Sequence, residues 1–187
     1  MEYDLLGHPP DAPTLRLDHE RFAYAGKFVM SDTGKAVACD PTERGEQFDD
    51  RGALVGATSF SPDRGADRRA RIRYVTVRED RRGEGVGPRL LRFTADRLGG
   101  RFDAVAVAVN NPIAYEACYR AGFVWTGAET GMAELLLRHE PGGARAERYR
   151  AGFELFEERT LPDHQRGVLE RNADTAPPEP VDRPQEA

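Results

Sequence analysis

The chain predicts an α+β domain in which strands and helices interleave, and three stretches carry that expectation. Extended runs crowd the residues before 77, a glycine-rich turn then leads into an amphipathic helix, and Ala104–Val109 alternates alanine with valine and shows no polar face. At 187 residues there is room for one such domain with a substantial core.

Residues 1–13 carry acids and prolines where a secretory leader needs a basic start and an apolar run, so they read as an N-terminal segment of a cytoplasmic protein. Thr14-Leu-Arg-Leu-Asp18 reads as a first strand. Asp18 stands where an N-cap would open a helix from His19 to Met30; the competing reading makes Phe22–Met30 a strand that turns through Ser31-Asp-Thr-Gly34. Lys35–Asp40 is extended in either case. A polar loop from Pro41 to Gly52 precedes a strand over Ala53–Phe60, and a second loop, Ser61–Arg69, precedes a strand over Ala70–Val77. Those three consecutive strands suit a meander.

Leu91, Ala95 and Leu98 recur at helical spacing, with Pro88 fitted to a first helical position and Gly99-Gly100 to the stop, which predicts a helix over Pro88–Leu98. Ala104–Val109, apolar on both faces, belongs in a sheet covered on both sides. Asn111 and Pro112 then open a second helix that Gly122 closes. Phe123–Thr126 and Met132–Arg138 read as two closing strands. Ala144–Arg159 is an amphipathic helix with Tyr149, Phe153 and Phe156 on one stripe, and Gln165–Arg171 is a shorter one. From Asn172 the chain is rich in Pro, Asp and Glu and predicts a disordered tail.

Composition excludes several classes of function. Cys39 and Cys118 are the only cysteines, too few for a disulfide framework and without the spacing of a metal site. A net charge of -5 opposes nucleic-acid binding. No apolar run approaches the roughly 20 residues that cross a bilayer.

The run Val77-Arg-Glu-Asp-Arg-Arg-Gly-Glu-Gly-Val-Gly-Pro-Arg89 sets Gly83, Gly85 and Gly87 between a strand end and a helix start. Glycines there let the backbone curl and aim several N–H groups into one concavity, at the positive end of a helix dipole. That describes a diphosphate cradle, and Arg82 and Arg89 add positive charge beside it. A Walker loop would need Lys and a hydroxyl after Gly87, and a dinucleotide fingerprint would need glycine where Pro88 stands, so neither fits. An ordinary glycine-rich strand-to-helix turn is the alternative.

The segment resembles the acyl-CoA motif of the GNAT superfamily of N-acetyltransferases: Arg or Gln, two residues, Gly, one residue, then Gly or Ala. Arg82, Gly85 and Gly87 fill those places, and Val77 stands where the family closes the preceding strand. The resemblance implies acetyl-CoA as cosubstrate. It sets Val75 and Val77 along the pantetheine arm and the amides of Arg82, Gly83, Glu84, Gly85, Val86 and Gly87 on the diphosphate; Pro88 has no amide to offer.

Asn111-Pro-Ile-Ala-Tyr-Glu-Ala-Cys-Tyr-Arg-Ala-Gly-Phe123 resembles the second GNAT segment, with Asn111, Ala114, Gly122 and Phe123 in register. Asn111 therefore joins the cofactor-binding set. The family's tyrosine, which returns a proton to the CoA thiolate, falls on Cys118. At about 100° per residue, Cys118 shares a face with Ile113, Ala114, Ala117 and Ala121, while Tyr115 and Tyr119 point together beyond Asn111. Tyr119 is the first catalytic candidate and Tyr115 the second, with packing on a neighbouring element as the alternative for both. Cys118 reads as core.

As a whole the resemblance implies a GNAT-like α/β sandwich over residues 14–140: a mixed, mostly antiparallel twisted sheet of about six to seven strands with helices on both faces. A C-terminal helical extension, 141–171, and the disordered tail, 172–187, follow it. The implied reaction is direct transfer of acetyl from acetyl-CoA to an amine, on a small molecule or a protein. A catalytically silent acyl-CoA-binding domain is the rival. The amine's proton needs an acceptor, for which Glu79, Glu116, Glu129 and Glu134 are candidates. Residues 18–50 and 126–133 would select the acceptor, and the helix over 144–159 would either cover the domain or pair with a second copy, for which its aromatics are suited.

Overall fold

The first four strands pair with their neighbours in chain order, and a helix then packs back across them. The structure, a computed structural model, describes residues 1–43, 52–140, 146–172 and 175–184, and divides into two compact units, Met1–Val105 with Asp182–Ala187 and Ala106–Val181.

The first unit carries β1 (Glu2–Gly7), β2 (Gly34–Asp40), β3 (Ala53–Pro62) and β4 (Arg69–Val77), each antiparallel to the one before. Helix α1 (Val86–Leu98) packs on one face, where Tyr3, Ala36, Ala38, Val55, Val86, Leu90 and Phe93 form a buried cluster. On the opposite face Leu15, Phe28, Val37, Cys39 and Ala57 form a second one. Successive residues of β2 thus feed opposite faces, as strand geometry requires. In β3 the register shifts opposite Ala38 and Cys39, so that Val55 is an extra residue and turns to the α1 side while Ala57 stays on the other.

The N-terminal expectations need correcting. The first strand is Glu2–Gly7, inside the stretch read as an N-terminal segment ahead of the domain, and Thr14–Asp18 joins no ladder. Leu15 is nonetheless buried, its N–H donating to the Phe28 carbonyl at 3.0 Å, so its apolar alternation reports burial without pairing. Neither a helix nor a strand spans residues 19–30. Asp18 caps a turn through Glu20 N–H at 2.9 Å, and the only regular piece is a 3-10 turn at Ala25–Lys27, entered through Tyr24 at φ 59°. The turn before Gly34 and the strand after it stand where expected. Most of the expected loop over 41–52 lies outside the described residues.

The second unit carries most of β5 (Ala104–Val109), then α2 (Pro112–Arg120), β6 (Phe123–Glu129), β7 (Leu135–His139), α3 (Ala146–Glu157) and α4 (Asp163–Asn172). β7 lies between β5 and β6 and is antiparallel to both. Tyr149, Phe153 and Phe156 of α3 are almost wholly buried against Tyr115 of α2. The aromatic stripe is therefore spent within the chain, the first of the two uses expected for this helix. Residues 175–184 form no helix or strand, yet Val181 N–H donates to the Arg120 carbonyl at 2.7 Å and Arg183 Nε to Asp96 at 2.9 Å. Seven strands and four helices make up the described residues, in line with the α+β expectation. Among them no helix is long and apolar enough to cross a membrane.

Candidate functional site

The glycine turn is built between two anchors. Arg78 N–H still bonds the β3 backbone at Val55 O, 2.8 Å, and a 3-10 turn over Glu79–Arg81 follows, closed by Arg81 N–H on Arg78 O at 3.0 Å and Arg82 N–H on Glu79 O at 3.3 Å. Gly83 at φ 87° and Gly85 at φ 77° then take the left-handed region that L side chains resist, and Gly85 is the N-cap of α1. Arg89 N–H closes the first helical turn on Gly85 O at 3.3 Å. The amides of Val86 and Gly87, at the start of the helix, have no carbonyl inside it to meet, and they sit at the positive end of its dipole. Curled glycines ahead of a 13-residue helix are what an anion cradle requires, so these residues fit a diphosphate.

The other expected cofactor residues take different environments. Arg82, Gly83 and Glu84 are exposed at the turn, while the Val86 side chain is buried in the α1 cluster, leaving only its amide for a ligand. Val75 and Val77 are half-buried on β4, and Val77 packs against the same cluster. Gly87 holds its place beside Val77: a Cβ there would stand 3.6 Å from Val77 Cγ2, an ordinary contact.

A network that the sequence reading missed braces this turn. Arg78, with a side chain only 3% exposed, reaches Glu43 at 2.6 Å and Asp80 at 2.7 Å. Arg81 reaches Asp40 and Glu43 at 3.1 Å and Glu84 at 2.8 Å. The Thr42 hydroxyl and N–H, and then Arg81, hold the Asp40 carboxyl at about 2 against the opposing effect of burial. The loop after β2 is thereby pinned to the turn after β4. Arg78 and Arg81 are structural ties, unlike Arg82 and Arg89, whose charge the sequence sets beside the cradle, and acids 35 to 41 positions away give no local signal.

In the second unit Asn111 caps α2, its Oδ1 accepting from Ala114 N–H at 2.9 Å. That bond is the motif position's visible work. Tyr115 is fully buried and its hydroxyl donates to the Arg148 carbonyl at 2.9 Å; Tyr119, 4% exposed, accepts Trp125 N–H at 3.2 Å. The two hydroxyls are 3.3 Å apart. Burial first, and then the neighbouring Tyr119, drive the Tyr115 hydroxyl far above the ordinary tyrosine range. Cys118 is buried, its thiol likewise pushed up by burial, which suits its expected place in the core.

The four candidate bases have local partners. Glu79 lies 3.9 Å from Arg82, Glu116 accepts from Asn172 at 3.4 Å, Glu129 lies 3.6 Å from Arg159, and Glu134 accepts from the Thr130 hydroxyl at 3.2 Å.

The profile of the acetyltransferase (GNAT) family matches residues 11–123. No protein of curated function matches the chain. Among solved structures, nourseothricin acetyltransferase is 26% identical, over 57% of this chain and 63% of that one, with a TM-score of 0.42. The histone acetyltransferase HPA2 and related acetyltransferase from Corynebacterium glutamicum is 24% identical over 59% of this chain and 66% of that one, TM-score 0.42. A provisionally named streptothricin acetyltransferase from Bacillus anthracis strain Ames, in complex with acetyl coenzyme A, is 19% identical over 57% and 60%, TM-score 0.42. Each match spans less than two thirds of the solved chain.

Proposed function

The chain belongs to the GNAT family of acetyltransferases, and from that premise we propose that it transfers acetyl from acetyl-CoA directly to an amine in the cytoplasm. The supporting observation is the turn from Arg82 to Gly87, where two left-handed glycines lead into the first amides of α1, which have no carbonyl inside the helix to meet. Acetyl-CoA is the cosubstrate and, when bound, supplies the activated acetyl group. In the proposed site the amides from Arg82 to Gly87 hold the diphosphate, and Val75 and Val77 flank the pantetheine arm. Asn111 acts through the α2 cap. The acceptor is a small molecule or a protein amine.

Tyr119 takes the proton-donor place in this reading. The Tyr115 hydroxyl hydrogen is committed to the Arg148 carbonyl, which leaves Tyr115 the second candidate. A silent acyl-CoA-binding domain is the second reading, favoured by the burial of both tyrosines in an aromatic cluster. Thermal shift with acetyl-CoA, ATP and NAD tests the carrier, since a ligand at 100 times its dissociation constant adds about 2.7 kcal/mol. Protection by acetyl-CoA no greater than by ATP ends the proposal. Turnover across a panel of amines then separates enzyme from sensor.

A further inference from the structure

Beside the glycine turn, the first unit holds a cleft of about 390 Å³ lined by Tyr3, Glu84, Val86, Arg89, Asp182 and Arg183 among others. Glu84 and Val86 belong to the turn itself and Arg89 to the first turn of α1, so the cleft opens where the carrier's diphosphate would rest.

Two guanidinium groups flank it. Arg89 Nη1 donates to Glu84 O at 3.0 Å and Arg183 Nε to Asp96 Oδ2 at 2.9 Å. A guanidinium has five N–H donors, so one bond apiece leaves others for a ligand. Of the acids, Glu84 is neutralised by Arg81 at 2.8 Å, which makes Asp182 the opposing charge.

Tyr3 supplies an independent sign. It is 3% exposed, its ring packs on Phe93 with centroids 5.7 Å apart, and its buried hydroxyl has no hydrogen-bond partner among the described residues. Buried hydroxyls are almost always satisfied, and a ligand oxygen in the cleft would satisfy this one. A phosphate monoester offers three strong acceptor oxygens to a hydroxyl and two planar forks of donors. Coenzyme A carries such a group one sugar away from its diphosphate.

We propose that this cleft takes the ribose 3′-phosphate of coenzyme A, with Tyr3, Arg89 and Arg183 as donors, so that the C-terminal tail forms part of the carrier site. The inference rests on the acyl-CoA reading above. Calorimetric titration of the full chain with CoA and with 3′-dephospho-CoA tests it, the readout being the ratio of the two dissociation constants. The intact protein should favour CoA by about tenfold or more. Tyr3→Phe keeps the ring and Arg183→Gln alters a side chain that is 74% exposed, so both should fold. Each should bring the ratio down to roughly threefold or less, and Asp182→Asn should raise it. A ratio near one in the intact protein, or one unchanged by both variants, overturns the proposal. Failure of both carriers to bind at all sinks the acyl-CoA reading itself, which keeps the two failures apart.

Discussion

The Tyr115 hydroxyl donates to the Arg148 carbonyl at 2.9 Å, tying the middle of α2 to the first turn of α3. Its ring meets Tyr119, Phe153 and Phe156 with centroids 4.9, 5.1 and 5.6 Å away, so the residue joins two helices through both its polar and its apolar parts. Tyr115→Phe should keep the ring contacts and orphan the carbonyl, lowering stability by about 1–2 kcal/mol in urea denaturation while the KM for acetyl-CoA holds. Tyr119→Phe should instead lower kcat by about tenfold or more with KM unchanged, the mark of an interaction made in the transition state. If the kinetic loss fell on Tyr115→Phe alone, the proton-donor assignment would be reversed.

Gly152 of α3 lies against the same tyrosine. A Cβ there would stand 2.0 Å from the Tyr115 hydroxyl and 2.4 Å from its Cζ, far inside contact distance. The glycine is helical and loses about 1 kcal/mol of helix propensity relative to alanine, so its presence is a packing requirement. Gly152→Ala should cost about 1–3 kcal/mol despite the better helix former, because a ring wedged among four aromatics has no room to retreat. A melting temperature that rises in this variant would contradict the close approach.

How much of this was legible beforehand depended on how locally each feature is encoded. Helix α1 announced itself through Leu91, Ala95 and Leu98, and β5 through its alternating valines; both stand within two residues of expectation at each end. Strand β1 was missed because Glu2 and Asp4 drew attention as charges, although their alternation with Tyr3 and Leu5 is a half-buried strand pattern. The segment 19–30 was misread because Asp18, which suits a helix N-cap, opens a tight turn instead, and turns rather than a regular element bury Phe22 and Phe28. In the site, the glycine spacing marked the turn. The brace through Asp40, Glu43, Arg78 and Arg81 joins residues 35 to 41 apart, which no window of sequence displays.

Gly83 separates backbone geometry from packing at that turn. Its φ is 87° and a Cβ would meet nothing within 4 Å, so Gly83→Ala adds backbone strain and no clash. Strain of about 1–2 kcal/mol in the left-handed region should be relieved by uncurling the turn, which moves the amides off the diphosphate. The expected result is a dissociation constant for acetyl-CoA raised by about tenfold, read by calorimetry, with kcat at saturating carrier nearly preserved. Unchanged affinity would mean that the curl is dispensable for holding the carrier.

Asp63, between β3 and β4 with a side chain 8% exposed, gives the fold an acid-sensitive point. Burial alone would raise its carboxyl, but Arg71, the Gly65 N–H and Arg69 together outweigh it and hold the group at about 2. Arg71 and Arg69 both approach Oδ2 within 2.8 Å, and Gly65 N–H reaches Oδ1 at 3.2 Å. Because the folded value lies below the unfolded one, near 4, the stabilisation is complete above about pH 5 and is lost as pH falls toward 2. A shift of this size corresponds to about 2 kcal/mol. Urea midpoints for the intact protein and Asp63→Asn should therefore differ by about that amount at pH 7, converge below pH 4 and coincide near pH 2, since a protonated carboxyl and an amide are then alike in charge. Asp40, also held at about 2, steepens the acid limb of both proteins equally and leaves their difference untouched. A gap that persisted at pH 2 would assign the cost of the substitution to packing and not to the ionised carboxylate.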